Sequence, residues 1–260
     1  MNRVSALVLR YMYLYRRSLA RLGEVFFWPV MELLVWGFLT MYLESEDVGM
    51  TVSYLLGAII LWDVLYRAQM AISLSFTEEI WVRNLLNLFV APLRTFEIPL
   101  ATASVGVIRA LVSLTLLSVL AAVLYAFDIT AVGFALVPFV ASLLLFGWAV
   151  GLVTMALVLR FGQAAEALVW GVPFLIQPFS AVFYPVSILP VWLQPLAWSL
   201  PSTYVFEGMR AALASGVLDG SLLAMAFVLN VVYLILGTLF LGLTLKTVRE
   251  KGYLSRIGME

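Results

Sequence analysis

The most constraining feature of this sequence is a series of apolar runs, each long enough to cross a membrane as a helix, which takes about 20 residues. A backbone in lipid must satisfy its own hydrogen bonds, and a helix does so within one segment. We therefore predict an all-α integral membrane protein with six transmembrane helices and a single transmembrane domain over residues 1–260. The predicted spans are 23–43, 52–76, 98–125, 132–158, 165–186 and 222–245.

Composition excludes most other classes of protein. The chain is 64% hydrophobic and 12% charged, whereas soluble domains carry about 25% charged residues. Cys and His are absent, which excludes disulfides, Cys/His metal sites and catalysis by imidazole. Neither Lys246 nor Lys251 follows a glycine, so the chain has no P-loop for ATP. We expect no catalytic residue, metal or cofactor on this chain, and the zero net charge gives no argument for nucleic acid.

The distribution of basic residues predicts the orientation. Cytoplasmic segments of membrane proteins are enriched in Lys and Arg. With six spans, the N-terminal segment, the loops after the second and fourth spans, and the C-terminal tail all lie on the same side of the membrane. These segments hold twelve of the 15 basic residues, which predicts that both termini are cytoplasmic. They are Arg3, Arg10, Arg16, Arg17, Arg21, Arg83, Arg94, Arg160, Lys246, Arg249, Lys251 and Arg256. The opposite loops carry the acids Glu44, Glu46, Asp47, Asp128, Glu207 and Asp219.

Two segments outside the spans have a helical pattern of their own. In residues 1–22, arginines recur among apolar residues at nearly helical spacing, which predicts an amphipathic helix in the membrane interface. Prolines and tryptophans break the loop 187–221 into short pieces, which predicts short outer helices before the last span. Ser202 or Thr203 could cap one of them, running to about Ala214. A seventh full span is the competing interpretation of this loop.

A third segment, 78–91, lies between the second and third spans. Its pattern predicts a short cytoplasmic helix. Thr77 followed by two acids suits a helix N-terminus, and Pro92 would end it. Apolar residues recur there at helical spacing, separate from Arg83 and the asparagines. From this pattern alone, the segment is either an interfacial turn without a partner or the contact for a soluble partner.

Four charged residues lie well inside the predicted spans, away from their ends, where charge is costly and faces protein or water. They are Glu32, Asp63, Arg67 and Arg109. Asp63 and Arg67 are four positions apart, so they share a helix face and can pair. The four residues either neutralise one another inside the bundle or line a transport path or hinge. Arg109 could also extend toward an interface.

The order of these elements resembles the type-2 permease family of ABC transporters over the whole chain. The middle region is similar to that family's pattern at Glu79, Arg83, Asn84, Leu85, Leu86, Val90, Ala91 and Pro92. The later region is similar at Phe183, Tyr184, Pro185, Leu189, Pro190, Pro201, Tyr204, Glu207 and Arg210. The family's members are membrane subunits of exporters for polysaccharides, glycolipids and drugs.

The resemblance implies a permease subunit of an ATP-driven exporter in a prokaryotic inner membrane, with a glycan, lipid or drug as amphipathic or lipid-linked cargo. It implies a separate cytoplasmic ATPase in two copies, carrying ATP and Mg, together with membrane lipid and a second copy of this chain. The expected ATPase contact comprises Glu78, Glu79, Trp81, Arg83, Asn84, Leu85, Asn87 and Leu88. The expected outer-loop motif comprises Tyr184, Pro185, Pro201, Tyr204, Glu207 and Arg210. The alternative is an ion-coupled transporter that uses Asp63 and Glu32.

Overall fold

A computed structural model of the chain describes residues 3–45, 51–82, 84, 90, 93, 96–216 and 218–251. Throughout these ranges, the regular secondary structure is helical. The helices are α1 (Arg3–Arg16), α2 (Leu19–Ser45), α3 (Thr51–Trp81), α4 (Glu97–Tyr125), α5 (Leu136–Phe161), α6 (Glu166–Ile176), α7 (Gln194–Trp198), α8 (Pro201–Ser215) and α9 (Gly220–Glu250). Short 3-10 turns cover Ile129–Ala135, Gly162–Ala165, Gln177–Ser180 and Val186–Ile188.

Five of the described helices are long and apolar enough to cross a membrane. Their qualifying segments are Phe26–Leu43, Tyr54–Trp81, Glu97–Tyr125, Val132–Phe161 and Gly220–Glu250. They coincide with five of the six predicted spans, and the prediction of an all-α integral membrane protein is confirmed. The short helices α1, α7 and α8 lie where the interfacial and outer helices were predicted.

The predicted fifth span, 165–186, is not one continuous helix. Its α-helical part, α6, has 11 residues and is followed by a 3-10 turn to Ser180. Ala181 then adopts a left-handed conformation with φ of 53°. Pro178 lacks a backbone N–H and cannot extend the helical hydrogen bonding. Five of the six predicted spans are therefore continuous helices among the described residues, and the predicted span 165–186 is helical but broken.

Helix α3 is the centre of the bundle. Of its apolar segment, 94% is buried, against 17% for α9. It packs mainly on α5, α4 and α2. The α5 contact is close because Gly147 faces it: a Cβ there would lie 2.6 Å from the Leu65 carbonyl oxygen. Small residues allow such close approach of helix backbones in membranes.

A side chain of α3 compensates for the proline inside α6. Pro173 has no N–H, so it cannot bond to the carbonyl of Val169 four residues earlier. Instead, the Nε2 of Gln69 donates to the Val169 oxygen at 3.2 Å. Gln69 is fully buried and also contacts Ser73 and Thr154. These bonds tie the shortened helix α6 to the centre of the bundle.

We expect Gln69→Leu to lower the free energy of unfolding by about 1–3 kcal/mol, because it leaves the buried Val169 carbonyl without a donor. A Pro173→Ala background restores the missing backbone N–H within α6. The cost of Gln69→Leu should then fall by about 1 kcal/mol. Chemical unfolding of the four proteins in detergent measures this coupling. Equal costs in the two backgrounds would show that Gln69 does not replace the bond that Pro173 removes.

The predicted helix 78–91 does not begin at Thr77. Residues 77–81 continue α3 without a break, and the Thr77 hydroxyl donates to the Ser73 carbonyl at 2.9 Å. The acids after Thr77 therefore belong to the last turn of a long spanning helix, and the prediction of a new N-terminus there is wrong. Most of the remaining predicted helix lies outside the described residues.

Candidate functional site

The last turn of α3 carries two adjacent carboxylates that bind arginines from two other helices. Glu79 pairs with Arg10 of α1 through two contacts, Nη1 to Oε1 at 2.6 Å and Nη2 to Oε2 at 2.9 Å. Glu78 pairs with Arg21 of α2 at 3.2 Å. Just past the helix, the side-chain amide of Asn84 donates to Glu79 at 2.7 Å. This end of α3 is thus bound to both N-terminal helices.

The Arg10–Glu79 contact has the more deeply buried carboxylate of the two. The Glu79 side chain is only 3% exposed, while that of Arg10 is 36% exposed. A two-point guanidinium–carboxylate contact fixes both distance and orientation. Its hydrogen bond raises the pKa of Arg10, so the guanidinium stays charged, while burial raises the pKa of the adjacent Tyr11 hydroxyl. The contact therefore holds α1 against the last turn of α3.

Helix α1 also binds α4. Its side chains Leu7, Tyr11 and Tyr15 form a buried cluster with the first turns of α4. Arg109 of α4 donates to the Tyr15 hydroxyl at 2.6 Å and lies 4.7 Å from the centre of the Tyr15 ring. A cation close to an aromatic face is stabilised by the ring. Because α3 and α4 flank segment 82–96, α1 contacts the helices on both sides of that segment.

The predicted ATPase contact is therefore only partly available to a partner. Glu79 and Asn84 bond to each other inside the chain, and Glu79 faces α1 rather than solvent. Trp81 is 43% exposed and Val82 67% exposed. The predicted contact residues Arg83, Leu85, Asn87 and Leu88 lie outside the described part of the chain. The exposed surface at this end thus begins at Trp81.

The structure brings the four charged residues of the spans to one cavity of about 310 Å³. Arg67 donates to Asp63 at 2.7 Å, with both side chains about 5–6% exposed. The predicted pairing of these two residues is present. Glu32 of α2 and Arg109 of α4 line the same cavity without pairing with each other. An adjoining cavity of about 380 Å³ shares Glu32 and Asp63.

The outer-loop motif joins α8 to the turn that follows α6. Glu207 accepts from the backbone N–H of Val186 at 2.7 Å and pairs with Arg210 at 3.2 Å. Arg210 donates to the carbonyl of Ala181 at 2.6 Å. These bonds satisfy backbone groups around the left-handed turn at Ala181, which a helix would otherwise satisfy. Glu207 and Arg210 thus hold the end of α6 in place.

The other motif residues complete this packing. Pro201 is the first residue of α8, where the missing N–H costs nothing. The Tyr184 hydroxyl donates to the Pro178 carbonyl at 2.6 Å, and the Tyr204 ring lies 5.0 Å from Trp198. Pro185 is extended and precedes the 3-10 turn at Val186.

The predicted cap of this helix is wrong, because Leu200 precedes α8 and no side chain caps it. The Ser202 hydroxyl bonds to that of Ser180 at 2.8 Å, and the Thr203 hydroxyl donates to the Ala197 carbonyl at 2.6 Å. Both hydroxyls therefore join α8 to neighbouring turns.

Comparison with known families decides between a transporter subunit and other membrane proteins. A model of the ABC-2 type transporter family matches residues 5–214, which is most of the chain. The chain belongs to the ABC-2 type transporter family. It is a permease component, a multi-pass membrane protein whose own sequence has no ATPase motif. Among curated proteins, none matches the chain.

Sequence reasoning about this ABC-2 permease missed three residues of the site. Arg10, Arg21 and Tyr15 were predicted to lie in an interfacial helix, with no predicted partner inside the chain, yet each contacts a charged residue of α3 or α4. Arg10 and Glu79 are 69 positions apart, so local periodicity cannot join them. Two features of the sequence could have suggested these contacts. They are the excess of arginine near the N-terminus and the adjacent pair of acids at the end of the second span.

Proposed function

We propose that this permease is the membrane subunit of an ATP-driven exporter that moves an amphipathic or lipid-linked cargo out of the cytoplasm. The observation that supports this proposal most directly is the pair of ion pairs at the end of α3. There, Glu78 and Glu79 bind α2 and α1 next to segment 82–96. Because these ion pairs connect three helices, a partner that displaces the end of α3 from outside the membrane also displaces α1 and α2. Family membership supports the permease role.

In the proposed cycle, two copies of a cytoplasmic ATPase, with ATP and Mg, dock on the surface that begins at Trp81 and includes segment 82–96. A shift of this surface displaces α3 together with α1 and α2, because ion pairs connect them. Tyr15 transmits the shift to Arg109 on α4. Packed helices change between discrete arrangements, so the cavity between these helices opens to opposite sides in turn. A second copy of the chain and surrounding lipid complete the assembly.

The proposed setting is a prokaryotic inner membrane, with both termini in the cytoplasm. Its support is the charge of the described helix ends. Arg10, Arg21 and Lys246 lie at one end of the bundle by chain order, and the acidic caps Asp128 and Asp219 lie at the other. Basic residues favour the cytoplasmic side.

The testing experiment is a gentle affinity purification of the chain from its native membrane. We expect an ABC ATPase subunit to co-purify, and the eluate to hydrolyse ATP in a vanadate-sensitive manner. A parallel purification from cells without the tagged chain controls for contaminating ATPases. An intact, folded chain that carries no ATPase and supports proton-driven transport without ATP would overturn the proposal in favour of an ion-coupled transporter.

A further inference from the structure

The 380 Å³ cavity has an aromatic wall with an acidic group in it. Five rings line it, those of Trp28, Trp36, Trp62, Tyr66 and Phe174, and its charged residues are Glu32 and Asp63. Helices α2, α3 and α6 supply these side chains. We call this cavity the aromatic lobe. Its volume lies within the usual range of about 300–1,000 Å³ for sites that bind small molecules.

The two carboxylates of the aromatic lobe differ in whether they form an ion pair. Asp63 is neutralised by Arg67 at 2.7 Å. Glu32 forms no ion pair with any residue that the structure describes. Arg109 lines the neighbouring 310 Å³ cavity and not the aromatic lobe, and its guanidinium already contacts the hydroxyl and ring of Tyr15. Glu32 is therefore a carboxylate of the lobe that no described arginine or lysine holds in an ion pair.

An ionisable residue inside a membrane protein is costly to keep and commonly serves a bound ion or substrate. Aromatic faces attract cations, with about 2 kcal/mol or more available when the cation is desolvated. A carboxylate among five rings offers both interactions to one ligand. We propose that the aromatic lobe binds the positively charged end of a hydrophobic organic cation, and that cargo of this class is what the permease carries.

The assignment of cargo rests on the proposed export function, but the binding site does not. The same features disfavour the other ligand classes. An anion would meet the Glu32 carboxylate and the negative faces of the rings. A neutral amphiphile would cover the rings and at best donate a hydroxyl to Glu32, so it would not use the attraction of aromatic faces for cations. A cation attracts both the carboxylate and the aromatic faces of the lobe.

The test uses the full chain in lipid nanodiscs without any ATPase, so that binding is measured apart from transport. The probes are tetraphenylphosphonium and tetraphenylborate, which have nearly the same shape and opposite charge. We expect saturable binding of the phosphonium, relative to empty nanodiscs, and none of the borate. Glu32→Gln should weaken phosphonium binding at least tenfold. Glu250→Gln, at an exposed carboxylate at the end of α9, is the matched control and should bind normally.

A second variant covers the case in which Glu32→Gln does not fold. Phe174 is 60% exposed, so Phe174→Leu keeps an apolar side chain but removes a ring at little cost in folding. It should weaken phosphonium binding several-fold, whereas Leu175→Ala at the next exposed position should not. Normal phosphonium binding by folded Glu32→Gln or Phe174→Leu, or equally tight binding of the borate, would overturn the proposal. An ATPase that co-purifies without cation binding would refute only the cargo class, and cation binding without an ATPase would refute only the export function.

Discussion

Neutralising one member of the Asp63–Arg67 pair should destabilise the chain by about 3–5 kcal/mol, and neutralising both should restore most of that loss. The reason is that each single change removes the close ion-pair partner of a buried charge, and this costs more than the pair contributes. Both side chains are about 5–6% exposed. The variants are Asp63→Asn, Arg67→Met and the double variant, and the measurement is the free energy of unfolding in detergent micelles.

The double variant is the control that gives this experiment its meaning. If its loss equals the sum of the two single losses, then the two residues do not act as a pair and the structural interpretation fails. If it folds as expected, its transport activity separates structure from function. A stable double variant that still transports shows that the pair only neutralises charge, and one that folds but does not transport places the pair on the path.

Composition and span length were sufficient to predict the class of fold. Apolar runs of spanning length leave few alternatives, since a backbone in lipid must form helices or closed barrels. The segment 165–186 shows the limit of this reasoning. Its composition is that of a span, but Pro178 and the left-handed Ala181 end the helix early. Whether a proline bends a helix or ends it depends on its neighbours, here on Gln69, which bonds to the carbonyl that Pro173 leaves free.

Long-range ion pairs were beyond sequence reasoning. Glu79 was interpreted as part of a new helix facing a soluble partner, because Thr77 and two acids are typical of a helix N-terminus. In the structure the same residues end α3, and Glu79 faces Arg10. A helix start and a helix end with acidic residues look alike when the preceding span has no clear boundary. Only the position of α1 distinguishes them.

The contacts of the intramembrane charges could be predicted only in part from the sequence. Spacing alone predicted the Asp63–Arg67 contact, because residues four apart on a helix are neighbours. Spacing could not predict that Glu32 and Arg109, from two other helices, line the same cavity as that pair. Nor could it predict that Tyr15 binds Arg109. Such groupings depend on how the helices pack, which the sequence determines only through many weak contacts.

Removing the charges at the contact between α1 and α3 should affect stability unequally and transport strongly. Arg10→Met leaves Glu79 charged at 3% exposure, whereas Glu79→Gln leaves an arginine that is 36% exposed and can reach water. We expect a loss of about 3 kcal/mol for Arg10→Met and about 1 kcal/mol for Glu79→Gln. Thermal unfolding of the purified variants in detergent measures the order of the two effects.

In the complex with its ATPase, the same variants should keep basal ATP hydrolysis and lose at least tenfold in transport, because α1 no longer moves with α3. The charge-swapped pair Arg10→Glu with Glu79→Arg should recover part of the transport, which a purely structural defect elsewhere would not. Lys246→Met breaks an ion pair that is 3.9 Å long and more than 60% exposed on both sides. This variant should change neither ATP hydrolysis nor transport, since exposed pairs contribute little. Normal transport by folded Glu79→Gln would show that force from segment 82–96 reaches the bundle without the Arg10–Glu79 contact.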